Sequence, residues 1–158
     1  MKNAVPLVMT LPDEAATGAL AATLAGLARP GDVIGLSGPL GSGKTSFARA
    51  FIRARLDAVD VPSPTFTLVE TYTPDDGPAI WHFDLYRLKT PEEAWELGLE
   101  EAYADGIALI EWPDRLGSDL PRERLDIELA AGGDDGSRVA TLTPSPVWTG
   151  RIAGLSHG

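Results

Sequence analysis

The sequence predicts an α/β fold of three layers, with helices on both faces of a mixed, mainly parallel sheet that carries an antiparallel hairpin. Three observations predict it. Short apolar runs alternate with helical patterns along most of the chain. A glycine-rich turn joins one such run, Val33 to Leu36, directly to a helical pattern. Two later strand patterns are separated only by the turn Pro74 to Pro78, which reads as a hairpin.

Each element has its own signal. Val5 to Met9 reads as a short strand, placed at an edge because Pro6 cannot donate to a ladder. Thr10 to Ala28 reads as a helix, with Pro12 in its first turn and Asp13 and Glu14 near the positive end of its dipole. Arg29, Pro30 and Gly31 end it. After the Val33–Leu36 strand and its turn, Phe47, Phe51 and Ala54 recur at helical spacing. Val61-Pro62-Ser63-Pro64 is a break. Phe66 to Tyr72 alternates as a strand, and Ala79 to Asp84 is its hairpin partner. Thr90-Pro91-Glu92-Glu93 is a capping box with proline at the first helical position, opening a helix to about Leu97. Ile107 to Glu111 is a short apolar strand ending in an acid. Leu125 to Ala130 and Val139 to Thr143 are two more strands, joined by the turn Gly132 to Gly136. Residues 145–158 are expected as a weak helix or a loose tail. No repeat or linker divides the chain, so residues 1–158 read as one domain.

Composition narrows the function. The 158 residues carry a formal net charge of −10 and no cysteine. Disulfides and thiolate metal sites are excluded. No apolar run approaches the roughly 18 residues of a membrane span, and no signal pattern opens the chain, so a cytoplasmic protein without membrane contact is expected. The acidic balance argues against autonomous nucleic-acid binding, which needs a basic footprint. Arg49, Arg53 and Arg55 are a local exception. They read as a solvated helix face, or as a docking surface for an acidic partner or for RNA held by a partner.

The glycine-rich turn carries the chemistry. Gly38-Pro39-Leu40-Gly41-Ser42-Gly43-Lys44-Thr45 fits G-x-x-x-x-G-K-[ST], the P-loop, and stands between a strand and a helix as that motif must. Its glycines let backbone N–H groups curl round phosphate oxygens, and the helix N-terminus adds partial positive charge. Lys44 would reach the β- and γ-phosphates, and the Thr45 hydroxyl would ligate Mg²⁺. Gly38, Gly41, Ser42, Gly43, Lys44, Thr45 and Ser46 are therefore the candidate nucleotide-binding residues. Pro39 lacks an N–H, so one amide at the start of the loop cannot donate. The amides of Gly41 to Thr45 are untouched.

Hydrolysis needs more than a phosphate cradle. It needs a carboxylate near the metal and a group that orients water. Asp84 ends an apolar strand, as a Walker-B acid does, and Glu111 repeats that design one strand later. Glu111 would complete the metal shell or position the attacking water; a structural pairing with Arg115 is the alternative. Thr65 lies in Ser63-Pro64-Thr65-Phe66, where a hydroxyl would meet Mg²⁺ or the γ-phosphate. Trp112 is assigned to core packing rather than to a lid, and His82 to a strand position with a satisfied hydrogen bond.

Together these strings resemble the TsaE (YjeE) family, small bacterial ATPases of tRNA threonylcarbamoyladenosine biosynthesis. The resemblance rests on GPLGSGKTSFARAF, VPSPTFTLVETY, HFDLYRL, WELGLEEAY and IEWPDR, in the family's order, with LPDEAAT extending it toward the N-terminus. Pro39 departs from it, since the family usually carries an acidic residue there. The resemblance implies ATP and Mg²⁺ as ligands, with Lys44, Thr45, Thr65, Asp84 and Glu111 in the family's site positions. Glu14 and Arg138 match places where such proteins approach the nucleotide. It also implies a heteromeric complex. TsaD-like and TsaB-like partners would transfer the threonylcarbamoyl group to adenosine 37 of tRNA, and this chain would use ATP hydrolysis to reset them. tRNA would then be met only through the partners, with Tyr86 and Arg87 as candidates to link nucleotide site and partner surface. The competing reading is a small-molecule P-loop kinase, for which Leu116 to Arg124 is the one candidate lid.

Overall fold

The structure, a computed structural model, describes residues 6–56 and 68–155. Its strands are β1 (Leu7–Leu11), β2 (Val33–Ser37), β3 (Val69–Tyr72), β4 (Ile80–Asp84), β5 (Ile107–Glu111), β6 (Leu125–Ala131) and β7 (Arg138–Pro144). They form one sheet in the order β1-β7-β6-β2-β5-β4-β3. The centre, from β6 through β2 and β5 to β4, is parallel. Both flanks are antiparallel, so the parallel character is confined to the middle. The β3–β4 and β6–β7 pairings follow from chain length. The short turns between β3 and β4 and between β6 and β7 allow only antiparallel return, whereas a parallel neighbour needs a crossover.

Strand alternation builds two cores. Ile34, Leu36, Ile107 and Leu109 face α1 (Glu14–Leu27) and α2 (Lys44–Arg55), where they pack with Leu20, Leu24, Phe47 and Phe51. Val33, Ala108 and Ile110 face the other side, covered by α3 (Pro91–Glu96), α4 (Leu99–Asp105) and the 3₁₀ helix Pro113–Asp119. Burial on both faces is why the central strands read as unbroken apolar runs.

Several boundaries differ from the sequence expectation. α1 starts at Glu14 rather than Thr10, because Leu11 is buried in β1 and Asp13 caps the helix by accepting from the Ala16 N–H at 2.9 Å. In α2 the buried stripe is Phe47, Ala48, Phe51 and Ile52, while Ala54 is exposed. Arg55 donates to the Ala25 carbonyl, Arg49 is half-buried and Arg53 exposed, so these arginines do not act as one surface. The capping box at Thr90 is present, with Glu93 accepting from the Thr90 N–H at 3.1 Å. α4 was not anticipated. Gly98 (φ 106°) separates it from α3, and a Cβ there would lie 2.5 Å from the Trp81 ring. No helix among the described residues is long and apolar enough to cross a membrane.

Residues Pro146–Ile152 form α5, with Trp148 and Ile152 buried against the α1–α2 side. Arg151 holds it there. Its guanidinium pairs with Asp32, at the foot of β2, and lies 4.5 Å from the Trp148 ring centroid. Both charged side chains are nearly buried, at 10% and 9% exposure. Removing one partner would leave the other charge uncompensated. Arg151→Ala is therefore expected to cost about 3 kcal/mol of unfolding free energy, read as a lower urea midpoint with unchanged slope. An unchanged midpoint would mean that α5 does not depend on this pair.

Candidate functional site

The segment 38–43 is the loop between β2 and α2, and side chains engage four of its carbonyls. Lys44 Nζ donates to the carbonyls of Gly38 (2.6 Å) and Pro39 (3.0 Å). From the other side, Arg138 on β7 donates through Nε to the Ser42 carbonyl (2.8 Å) and through Nη2 to that of Gly41 (3.1 Å). Gly38 anchors the start. A Cβ there would come within 2.2 Å of the Leu129 carbonyl oxygen, so only glycine fits against β6. With the carbonyls engaged, no side chain caps α2. Its first amides, unpaired by helix geometry, are free to meet an anion.

Beside this loop the parallel strands deliver two acids. Asp84 ends β4 and Glu111 ends β5, and the two residues are directly opposite in the register. Glu111 is buried, at 2% exposure. Its carboxylate accepts from Thr45 Oγ1 at 3.0 and 3.2 Å, and its Oε2 lies 2.7 Å from His82 Nε2. Arg115 is not its partner, in contrast to the structural alternative. That guanidinium lies over the Tyr86 ring, 5.9 Å from its centroid.

Asp84 is half-buried, and its Oδ1 accepts from the Tyr86 N–H at 3.2 Å. Burial raises its pKa from the ordinary value; the Glu111 charge adds to this, while the Tyr86 N–H, His82 and Lys44 oppose it. Burial lowers the Lys44 pKa, and the charges of Glu111 and Asp84 pull it back up. Both carboxylates thus favour the charged form of Lys44, while the Glu111 charge and burial together disfavour the charged form of Asp84.

Trp112 packs against the second core, as assigned, and also faces the site. It follows Glu111 with φ 62°, a left-handed conformation costly for a bulky residue. The turn places its half-buried ring 4.3 Å from Lys44 Nζ and 5.0 Å from the Tyr86 ring. It walls a cleft of about 300 Å³ with Leu40, Gly41, Gly43, Lys44, Thr45 and Asp84. Ser46, Glu111 and Arg138 also reach this cleft.

Glu14 stands apart from the acids. It lines an adjoining hollow of about 110 Å³ with Thr17, Gly43, Ser46, Gly136 and Arg138. Arg138 and Ser46 thus border both spaces. Gly38 and Ser42 are not among the residues lining the cleft, and Ser42 Oγ is buried without a hydrogen-bond partner. Thr65 lies outside the described residues. Leu116 is buried in the second core, so the stretch expected as a possible lid is anchored at its start. Sequence reasoning gave His82 its strand position and a satisfied hydrogen bond, which Nε2 makes, but did not name Glu111 as the partner or place Trp112 at the cleft. The available signal was a histidine two residues before Asp84 on an otherwise apolar strand.

The fold and site define an α/β protein with a mixed sheet and a cleft at the carboxyl ends of its parallel strands, where such sheets place their ligands. Comparison with known proteins narrows this. The model of the family described as threonylcarbamoyl adenosine biosynthesis protein TsaE matches residues 11–139. The chain belongs to the TsaE family. It is 40% identical over 128 residues to the tRNA threonylcarbamoyladenosine biosynthesis protein TsaE of Bacillus subtilis, covering 80% of this chain and 78% of that one. Its identity to the Rickettsia conorii protein of the same name is 42% over 123 residues, or 77% and 70% of the two chains. The crystal structure of Bacillus subtilis YdiB superposes with a TM-score of 0.79 at 30% identity, over 97% of this chain and 95% of the other.

The raised Asp84 pKa has a sign that can be tested. A carboxyl whose folded value exceeds its unfolded one makes ionisation costly to the fold. That cost is absent at low pH and grows as pH rises through the folded value. Asp84→Asn should therefore raise the thermal midpoint of the ligand-free protein at neutral pH, with the gain vanishing toward about pH 3. A midpoint at or below wild type at neutral pH would contradict burial as the dominant cause.

Proposed function

We propose that this protein is a Mg²⁺-dependent ATPase that serves tRNA threonylcarbamoyladenosine biosynthesis as an accessory factor to TsaD-like and TsaB-like partners. Family membership supports the pathway. One observation carries the chemistry: the contact of Thr45 Oγ1, on the first turn of an uncapped helix, with the Glu111 carboxylate at the end of the neighbouring strand. A hydroxyl, two carboxylates, a buried ammonium and exposed helix amides converge there.

The donor set fits Mg²⁺. Among the described residues no group of three or more His, Cys, Asp or Glu would hold a metal alone. Mg²⁺ asks for less, being held by one or two carboxylates together with substrate phosphates and water. Thr45, with Asp84 or Glu111, would hold it, and when bound it would neutralise phosphate charge. The amides of Gly41 and of Gly43 to Thr45 bind and orient the phosphates, the Ser42 N–H being paired with the Pro39 carbonyl, and Ser46 borders them. Lys44 exchanges the Gly38 and Pro39 carbonyls for phosphate oxygens, gaining stronger charge-assisted bonds. Glu111 orients the attacking water. Thr65 senses the γ-phosphate, while Glu14 and Arg138 border the nucleoside end.

Dependence on partners belongs to the same reading. Arg138 is the one arginine among the described residues lining the cleft, and its Nε, Nη1 and Nη2 all donate to carbonyls. Three of its five N–H groups are engaged on backbone carbonyls, which hold the side chain against the loop. An arginine supplied in trans contributes about 10³–10⁵ in rate. Hydrolysis is therefore slow alone and stimulated in the complex. The charge of −10 agrees with tRNA held by the partners, at a cytoplasmic site of action.

Lys44→Ala is expected to weaken ATP binding about tenfold or more, since a charge-assisted bond contributes roughly 1.5–3 kcal/mol; calorimetric titration would show it, and unchanged affinity would remove Lys44 from the site. Glu111→Ala should retain nucleotide binding and lose turnover. Phosphate release measured with and without the TsaD–TsaB pair checks this. Wild-type release by the variant would take the catalytic role from Glu111. A phosphorylated metabolite in place of free phosphate would favour the kinase reading.

A further inference from the structure

His82 is fully buried within β4, yet only half of its hydrogen-bonding capacity is used. Nε2 lies 2.7 Å from Glu111 Oε2, and Nδ1 has no partner. An apolar side chain would fill a central strand position without leaving a bare nitrogen, so packing alone does not explain a histidine here. The register explains its reach. His82 is opposite Leu109, and Asp84 is opposite Glu111, so all of these side chains share the α1–α2 face of the sheet.

The surrounding atoms assign the ring tautomer. Glu111 already accepts from Thr45 Oγ1 and presents lone pairs to the ring. An Nε2–H meets them with a donor and leaves Nδ1 as a bare acceptor. The other tautomer would set lone pairs face to face and bury an unsatisfied N–H, the rarer and costlier defect. The last torsion of a glutamate is broad and roughly two-fold, so hydrogen bonds rather than rotamer preference decide where its oxygens point.

We propose that His82 is a positioning residue, whose Nε2–H fixes the Glu111 carboxylate in the orientation that meets Thr45. This rests on the role given to Glu111 above and adds a residue that role did not include. It acts through Glu111 and does not touch the nucleotide.

Two measurements on the full chain test it. Long-range ¹⁵N–¹H spectra report the tautomer directly. The chain has 2 histidines, His82 and His157, so His82→Gln assigns the signals. The Nε2–H pattern is expected for His82, with its ring nitrogens shifted by Glu111→Gln. An Nδ1–H pattern, or signals indifferent to Glu111→Gln, overturns the proposal whether or not the protein hydrolyses ATP. Kinetics then separate positioning from packing. His82→Leu should lower kcat about tenfold, the loss of one hydrogen bond's worth of orientation, with KM for ATP within about twofold. His82→Gln, whose amide N–H can meet the same oxygen, should recover part of that loss. Equal losses in both variants, or an unchanged kcat in His82→Leu, overturn the positioning role. A wild type that releases no phosphate even with the TsaD–TsaB pair refutes the ATPase reading instead, and the nitrogen spectra then decide the histidine contact by themselves.

Discussion

Parallel pairing of β4, β5 and β2 is the constraint on which the site depends. Parallel strands end together, so Asp84, Glu111 and the start of the glycine-rich loop arrive at one edge of the sheet. A slip of one residue in β5 would turn Glu111 to the opposite face and bring Ile110 or Trp112 to the loop. The two cores guard against such a slip. Ile107 and Leu109 belong to one and Ala108 and Ile110 to the other, and a shift would exchange every one of them.

The loop shows a second economy. Lys44 and Arg138 take the carbonyls of Gly38, Pro39, Gly41 and Ser42, and the Ser42 N–H is itself paired with the Pro39 carbonyl, so the amides of the first turn of α2 are the groups left to meet an anion. An anion site made this way is preorganised: little backbone reorganisation remains when a ligand enters. It is also strained. Buried Lys44, buried Glu111, half-buried Asp84 and left-handed Trp112 all cost stability in the ligand-free state. The apolar cores on either side of the sheet offset that cost, and α5, clamped by Arg151 to the foot of β2, extends one of them.

Much of the fold was legible in the sequence. The central strands β2 and β5 are unbroken apolar runs, and the hairpin, the capping box and the β6–β7 turn have local chemistry that decides them. What failed was local too. α4 was hidden because Gly98 interrupts the helical pattern, and its need for glycine comes from Trp81, distant in sequence. The start of α1 was misplaced because Leu11 looks equally suited to strand or helix until β7 pairs with it.

By itself the sequence determined the order of elements, the glycine-rich loop and the two strand-ending acids, because each depends on neighbours within a few residues. Only the tertiary structure decided which acid is buried against Thr45, that His82 stands behind it, and that Arg138 braces the loop from 96 residues away. Those choices are made by strand register and by which side chains a sheet brings onto one face. Both are properties of pairing between distant segments, and no local pattern contains them.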